Sequence, residues 1–173
     1  QIDFVGNLGA VLFWPEDLDL ITDSPSVRRR YLDSVLCQVD REYRRTLASY
    51  ERGVRQRNKL LERIREGEAT RGQLVFWDQL LIKAGGYITD TRQAYLEFVN
   101  NFQSNKEMFN FQTTYDKSVI SESRLEQYKD AEVGAAVTLV GPHRDDFVVG
   151  KRQETRDKRQ ENQTVLSPVS GYL

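Results

Sequence analysis

The chain has 173 residues, 39% of them hydrophobic and 29% charged, and a formal net charge of −1. That length allows one domain with a fair core, and near-neutrality excludes a global field pulling the chain toward nucleic acid or membrane, so any electrostatic function must come from a local patch. A single cysteine, Cys37, excludes an internal disulfide and a multi-cysteine metal site, and no apolar run nears the roughly 18 residues of a membrane span.

Cys37 sits among Val35, Leu36 and Val39 and reads as buried packing. A reducing, cytoplasmic setting is the default. The first residue is Gln1 rather than Met, followed at once by Ile2, Phe4 and Val5, which implies a piece of a longer protein.

Residues 10–14 (Ala-Val-Leu-Phe-Trp) form a short apolar run stopped by Pro15 and read as a buried strand. Pro15, Glu16 and Asp17 suit a helix start, with the carboxylates at the positive end of the dipole. Ser24-Pro25 predicts a second start, Ser24 as N-cap, and a helix to about residue 38 with Val27, Tyr31, Val35 and Leu36 on one face and Leu32 at its edge. Asp40 should cap the next helix. There Tyr43, Leu47, Tyr50, Val54, Leu61 and Ile64 recur by fours and threes, with one gap filled by Arg57. The Gly-rich stretch 67–72 breaks it. A second such pattern runs Trp77, Leu81, Ala84, Ile88, Thr91, Tyr95, Phe98 and Phe102, so two long helices should fold back as an antiparallel hairpin. Gly85-Gly86 within the second predicts a kink or a close approach.

Residues 108–115 alternate as a half-exposed strand, and Ser123 with Glu126 forms a capping box for a helix to about Ala136. Residues 137–140 and 147–149 suit two strands around Gly141-Pro142-His143-Arg144-Asp145-Asp146. After Gly150 the chain turns polar, and Lys-Arg-Gln-Glu occurs twice seven residues apart, at 151 and 158. The divisions are 1–23, 24–136, 137–150 and a polar tail, 151–173.

Three stretches can carry chemistry. His143-Arg144-Asp145 invites comparison with a kinase catalytic loop, which fails because Gly150 stands where that loop needs asparagine. A metal site from His143, Asp145 and Asp146 is chemically open, although neighbours on an extended segment face opposite ways. A structural salt-bridge loop and a nucleotide-facing one both remain. Residues 28–65 hold twelve Arg or Lys against five Asp or Glu. Such a cluster can neutralise nucleic-acid phosphates, or pair along helices with Glu42, Glu51 and Glu62. No phosphate-binding loop or Walker B run is present, so the chain is no self-sufficient P-loop ATPase.

Four blocks taken together resemble the bacterial RecF family of DNA replication and repair proteins. They are Val-Leu-Phe-Trp-Pro-Glu-Asp-Leu (11–18) with Ser-Pro-Ser-Val-Arg-Arg-Arg-Tyr-Leu-Asp (24–33), Tyr50-Glu51-Arg52, Gln-Arg-Asn-Lys-Leu-Leu (56–61), and Thr-Leu-Val-Gly-Pro-His-Arg-Asp-Asp (138–146). The resemblance implies an α+β, predominantly helical fold in which a helical hairpin lobe is attached to strands of an incomplete ABC/SMC-type ATPase sheet. It implies ATP-regulated binding of DNA, double-stranded or at single-strand gaps and junctions, with recombination-mediator proteins and an ATP-dependent homodimer as partners. ATP and Mg²⁺ belong to the intact family, and none is expected for this chain alone. Glu16 and Asp17 match the region of the Q-loop, and His143, Arg144 and Asp145 become nucleotide- or dimer-facing candidates. Arg28, Arg29, Arg30, Arg44, Arg45, Arg55 and Arg63 are the DNA candidates. Where the family carries a Ser-Arg-Gly-Gln-like signature the chain ends Leu-Ser-Pro-Val-Ser-Gly-Tyr-Leu, and with Walker A and B also missing it is expected to be inactive as an ATPase by itself. The alternative is a helical-hairpin module that binds proteins and no nucleic acid.

Overall fold

In a computed structural model, residues 19–104 and 111–151 are described. The run 10–14 and the Q-loop-like Glu16 and Asp17 lie outside them. The order is α1 (Asp19–Thr22), α2 (Pro25–Val39), α3 (Arg41–Arg65), a 3-10 turn (Arg71–Leu74), α4 (Val75–Ser104), β1 (Phe111–Asp116), α5 (Glu122–Ala135), a second 3-10 turn (Pro142–Arg144) and β2 (Asp146–Lys151). The fold is α+β and predominantly helical, with a two-stranded antiparallel sheet.

Helix α2 starts at Pro25 as expected, but Ser24 does not cap it, because its hydroxyl bonds that of Ser26 at 2.7 Å. The buried face is also rotated from the expected one. Leu32 is 1% exposed and Tyr31 is 39% exposed, since Arg28 docks on β2 and turns Leu32 inward. Asp40 does cap α3: its Oδ1 accepts from the amides of Glu42 and Tyr43 at 2.7 and 3.0 Å. Those bonds, led by the one from Tyr43, hold its carboxyl below the usual range.

The hairpin of α3 and α4 is antiparallel. Tyr43 meets Arg92, Tyr50 lies beside Gly85, Gly53 faces Leu81, and Arg57 reaches Asp78, so one index rises as the other falls. The α4 helix runs unbroken through Gly85-Gly86, and Gly85 is a close approach. A Cβ there would stand 2.6 Å from Ile120 Cγ2 and 3.2 Å from Pro142 Cδ. Leu36, Tyr43, Tyr50, Leu81, Ile88, Ile120, Leu125 and Val140 form the main core, each large apolar side chain contributing about 1.5–3 kcal/mol by burial. The second seam does not extend as the spacing predicts. Phe98 and Phe102 are 63% and 55% exposed, stacked on each other, while Leu96 enters a smaller core with Leu32 and Phe147.

Strand β1 pairs with β2 from Phe111↔Lys151 to Asp116↔Asp146. Asn100 of α4 extends this ladder sideways, giving 2.9 Å to Thr113 O and taking 2.8 Å from Thr113 N. Two expectations fail here. Residues 137–140 are not a strand but an irregular segment in which Val137 N bonds Glu132 O (3.2 Å) and side chains take the next two donors, Thr138 N by Asn58 Oδ1 (2.8 Å) and Leu139 N by Glu132 Oε1 (2.8 Å). And α5 is capped by Ser121, which accepts from Arg124 N, rather than by Ser123.

Candidate nucleic-acid interface and the buried anchor beside it

The segment Gly141-Pro142-His143-Arg144-Asp145-Asp146 turns inward and is gripped by four elements. Gly141 has φ +127°, a region that glycine alone enters easily, and a Cβ would lie 2.2 Å from Tyr50 Oη. His143 is held at both ring nitrogens. Nε2 lies 3.0 Å from Thr138 O, which can only accept, so Nε2 carries the proton and Nδ1 accepts from Tyr50 Oη at 2.8 Å. Burial pushes the imidazole below its ordinary pKa, and the charges of Arg144 and Arg29 add to that. Burial likewise pushes the Tyr50 phenol up, which keeps it a donor.

Asp145 is 1% exposed and fully occupied. Its carboxylate accepts from Ser118 N at 2.6 Å, from the Tyr115 hydroxyl in a short bond, and from Arg92 Nη1 at 3.4 Å. Its carbonyl accepts from Arg29 Nη1 at 2.7 Å. Arg92, 2% exposed on α4, is the hub: Nε donates to Tyr43 Oη (3.0 Å), Nη1 to Pro142 O (2.7 Å) and Nη2 to Asp33 Oδ1 (2.8 Å). Sequence reading missed Arg92, Asp33 and Tyr115. The signal was a cation next to the apolar seam at Thr91. Arg57, the gap in the first seam, is a second hub, binding Asp78 (2.7 Å), Thr138 (3.1 Å) and Glu132 (2.7 Å).

Asp146 faces away from Asp145, to Arg28, with Nε–Oδ1 2.6 Å and Nη2–Oδ2 3.0 Å. The Arg28 bond holds its carboxyl below the usual range. His143, Asp145 and Asp146 thus turn to three different sets of partners, and among the described residues no three His, Cys, Asp or Glu side chains converge to hold a metal. Of the nucleotide candidates described, Arg144 alone keeps an exposed side chain, one of its nitrogens 3.3 Å from Thr138 O. His143 and Asp145 are thus engaged by the chain's own groups.

The DNA candidates divide by environment. Arg28 is committed to Asp146 and to the carbonyl of Asp23 (2.7 Å), and Arg29 is half-buried against Asp145 O. Arg44 is half-buried, and its Nη1 has no hydrogen-bond partner among the described residues. Arg30, Arg45, Arg55 and Arg63 are exposed. Arg55 and Arg63 stand 3.9 and 3.7 Å from Glu51 and Glu68, surface pairs worth little to stability. The structure gathers 28–30 at the β2 end of the lobe and spreads the others along α3.

No protein-family model matches the chain. Among curated proteins, the DNA replication and repair protein RecF of Roseiflexus castenholzii is 36% identical over 174 residues, covering 86% of this chain and 44% of that protein. RecF of Herpetosiphon aurantiacus is 38% identical over 163 residues, covering 86% and 42%. Two solved structures, of the recombination mediator protein RecF-ATPrS and RecF-ATP in the RecFOR pathway, superpose with a TM-score of 0.77. They are 29% and 28% identical and cover 85% and 86% of this chain, and 44% of each of those chains. The chain therefore spans less than half the length of the relatives it matches.

Proposed function

We propose, from the premise that this chain is a homologue of RecF matching under half of that protein's length, that it is the helical arm of an ATP-regulated DNA-binding repair protein. The relatives' names supply the repair setting. The observation in this chain that carries the reading is the row of exposed cations on α3, within a sequence of net charge −1. Arg30, Arg45, Arg55 and Arg63 are placed to meet phosphates, while Arg28 and Arg29 hold α2 to the turn and β2 and so set the arm's position. ATP with Mg²⁺, a homodimer formed with ATP, recombination-mediator partners and a cytoplasmic location all follow from the same premise. Within it, Arg144 is the described side chain that can reach a nucleotide or a dimer partner, with His143 and Asp145 fixing the backbone that presents it. Glu16 and Asp17 keep the Q-loop role that the resemblance implies.

The test is titration of gapped and duplex DNA with the protein that contains this chain, with and without ATP and Mg²⁺. Tighter binding with ATP is expected. No DNA affinity at low salt in either condition would overturn the reading. One observation favours a second: Val75 and Phe76, at the hairpin tip, are 54% and 64% exposed. A protein-binding arm would lose capture of a purified mediator protein on Phe76→Ser, with DNA binding unchanged.

A further inference from the structure

We infer that the outward face of α3 is a linear track for the phosphate backbone of a DNA duplex, made by Arg41, Arg45, Arg52, Lys59 and Arg63. The inference rests on the DNA-binding reading and goes beyond it in naming one face, three further cations and the manner of contact. All five side chains are exposed. At 3.6 residues per turn their spacing of four, seven, seven and four keeps them within about 40° around the helix axis. That line lies opposite the buried stripe of Tyr43, Tyr50, Arg57 and Leu61. From Arg41 to Arg63 it runs about 33 Å. Arg41, Arg45, Arg52 and Lys59 make no ion pair among the described residues, and Arg63 has only the 3.7 Å contact with Glu68.

Helix stability does not account for this arrangement; the arrangement opposes it. Arg41–Arg45, Arg55–Lys59 and Lys59–Arg63 are like-charge pairs at i,i+4, each costing a few tenths of a kcal/mol. Arg41, Arg44 and Arg45 also crowd the positive end of the dipole, where Glu42 is the one acidic residue of the first turn. Glu51 and Glu62 stand to the side of the line. A local rule broken repeatedly along one face points to a ligand that relieves it, here a polyanion. Ala48, Ser49 and Gln56, exposed uncharged residues near the line, offer no large apolar group to enter a lipid surface. The length matches about one turn of duplex, and cations about 6–10 Å apart along a helix suit phosphates rather than base edges.

The experiment compares the protein containing this chain with R45Q/R52Q/K59Q and with a control, K83Q/K117Q, whose lysines are exposed elsewhere. A duplex of about 20 base pairs is titrated between 50 and 200 mM salt. Losing three phosphate contacts should lower the slope of log K against log salt by about 2.7, and so shrink the salt effect over that range by about 40-fold. The triple variant should melt no lower than the parent, since it relieves repulsion. Three results separate the possibilities. If the parent itself fails to bind DNA, the DNA-binding reading falls and the track with it. If the parent binds and the triple variant has the control's slope, the track alone falls. If polyglutamate binding is lost in the variant while duplex binding is kept, the face serves an acidic protein and the inference is overturned.

Discussion

His143 shows how a lone ionisable residue is absorbed by its surroundings. Burial lowers its pKa in the folded chain, so the unfolded chain, with an imidazole near about 6.5, takes up the proton first. Its contribution is therefore complete above about pH 6.5 and is lost as the pH falls through that value toward the folded pKa. Asp40 and Asp146, depressed by their hydrogen bonds, lose their contributions only below about pH 4. Thermal melting from pH 7.5 to 5 should fall in the parent and stay flatter in His143→Gln, whose amide can both donate and accept. Equal slopes would remove His143 from the account. Gly141→Ala should cost about 2 kcal/mol or more, from a strained φ and from the Tyr50 hydroxyl in the path of the new methyl. Gly72→Ala, where a Cβ meets nothing within 4 Å, should stay within about 0.5 kcal/mol by the same denaturant measurement.

At the level of elements, α2, α4 and the turn before β2 are held by one buried guanidinium. Arg92→Met should destabilise by about 3–5 kcal/mol, because Asp145 keeps its burial and loses its counter-charge. A urea midpoint giving less than about 1 kcal/mol would mean that Tyr115 and Ser118 suffice. The elements themselves were legible where local chemistry decides them. Asp40 caps, Pro25 starts, and the fours and threes from Tyr43 to Ile64 mark a buried face even across Arg57. What was not legible depends on partners far along the chain. Residues 137–140 have strand-like side chains, yet Asn58, some 80 residues away, takes the amide a neighbouring strand would have taken. Arg28 meets Asp146 across 118 residues, and that contact sets which face of α2 is buried. The roles of the charged motif depend on the same long-range contacts, which is why its residues alone leave both a nucleotide-facing loop and a structural one open.

At the scale of the whole, the described residues divide into a hairpin with a deep core and a small sheet that leans on it. Two strands alone are marginal in water, so β1 and β2 depend on Asn100, Leu96 and Phe147. In native-state hydrogen exchange, amides near Leu81 and Ile88 should be the last to exchange. Asn100→Ala should speed exchange at Thr113 and along both strands while leaving the α3–α4 seam unchanged. Faster exchange in both regions would mean that sheet and hairpin open as one unit. The solved RecF structure shares this fold over 85% of the chain.

The register of the hairpin has a mechanical consequence. The anchor around Arg92 and Tyr43 sits at one end of α3, and the loop at 67–72 lies at the other, about 35 Å away. Gly53 and Gly85 bring the two helices into direct contact between those points, so the pair bends little. A pair that stiff would act as a lever about the end held by the buried guanidinium. A turn of about ten degrees at the pivot would sweep the tip through about 6 Å, close to one helical pitch, while the pivot itself shifts by a fraction of a bond length.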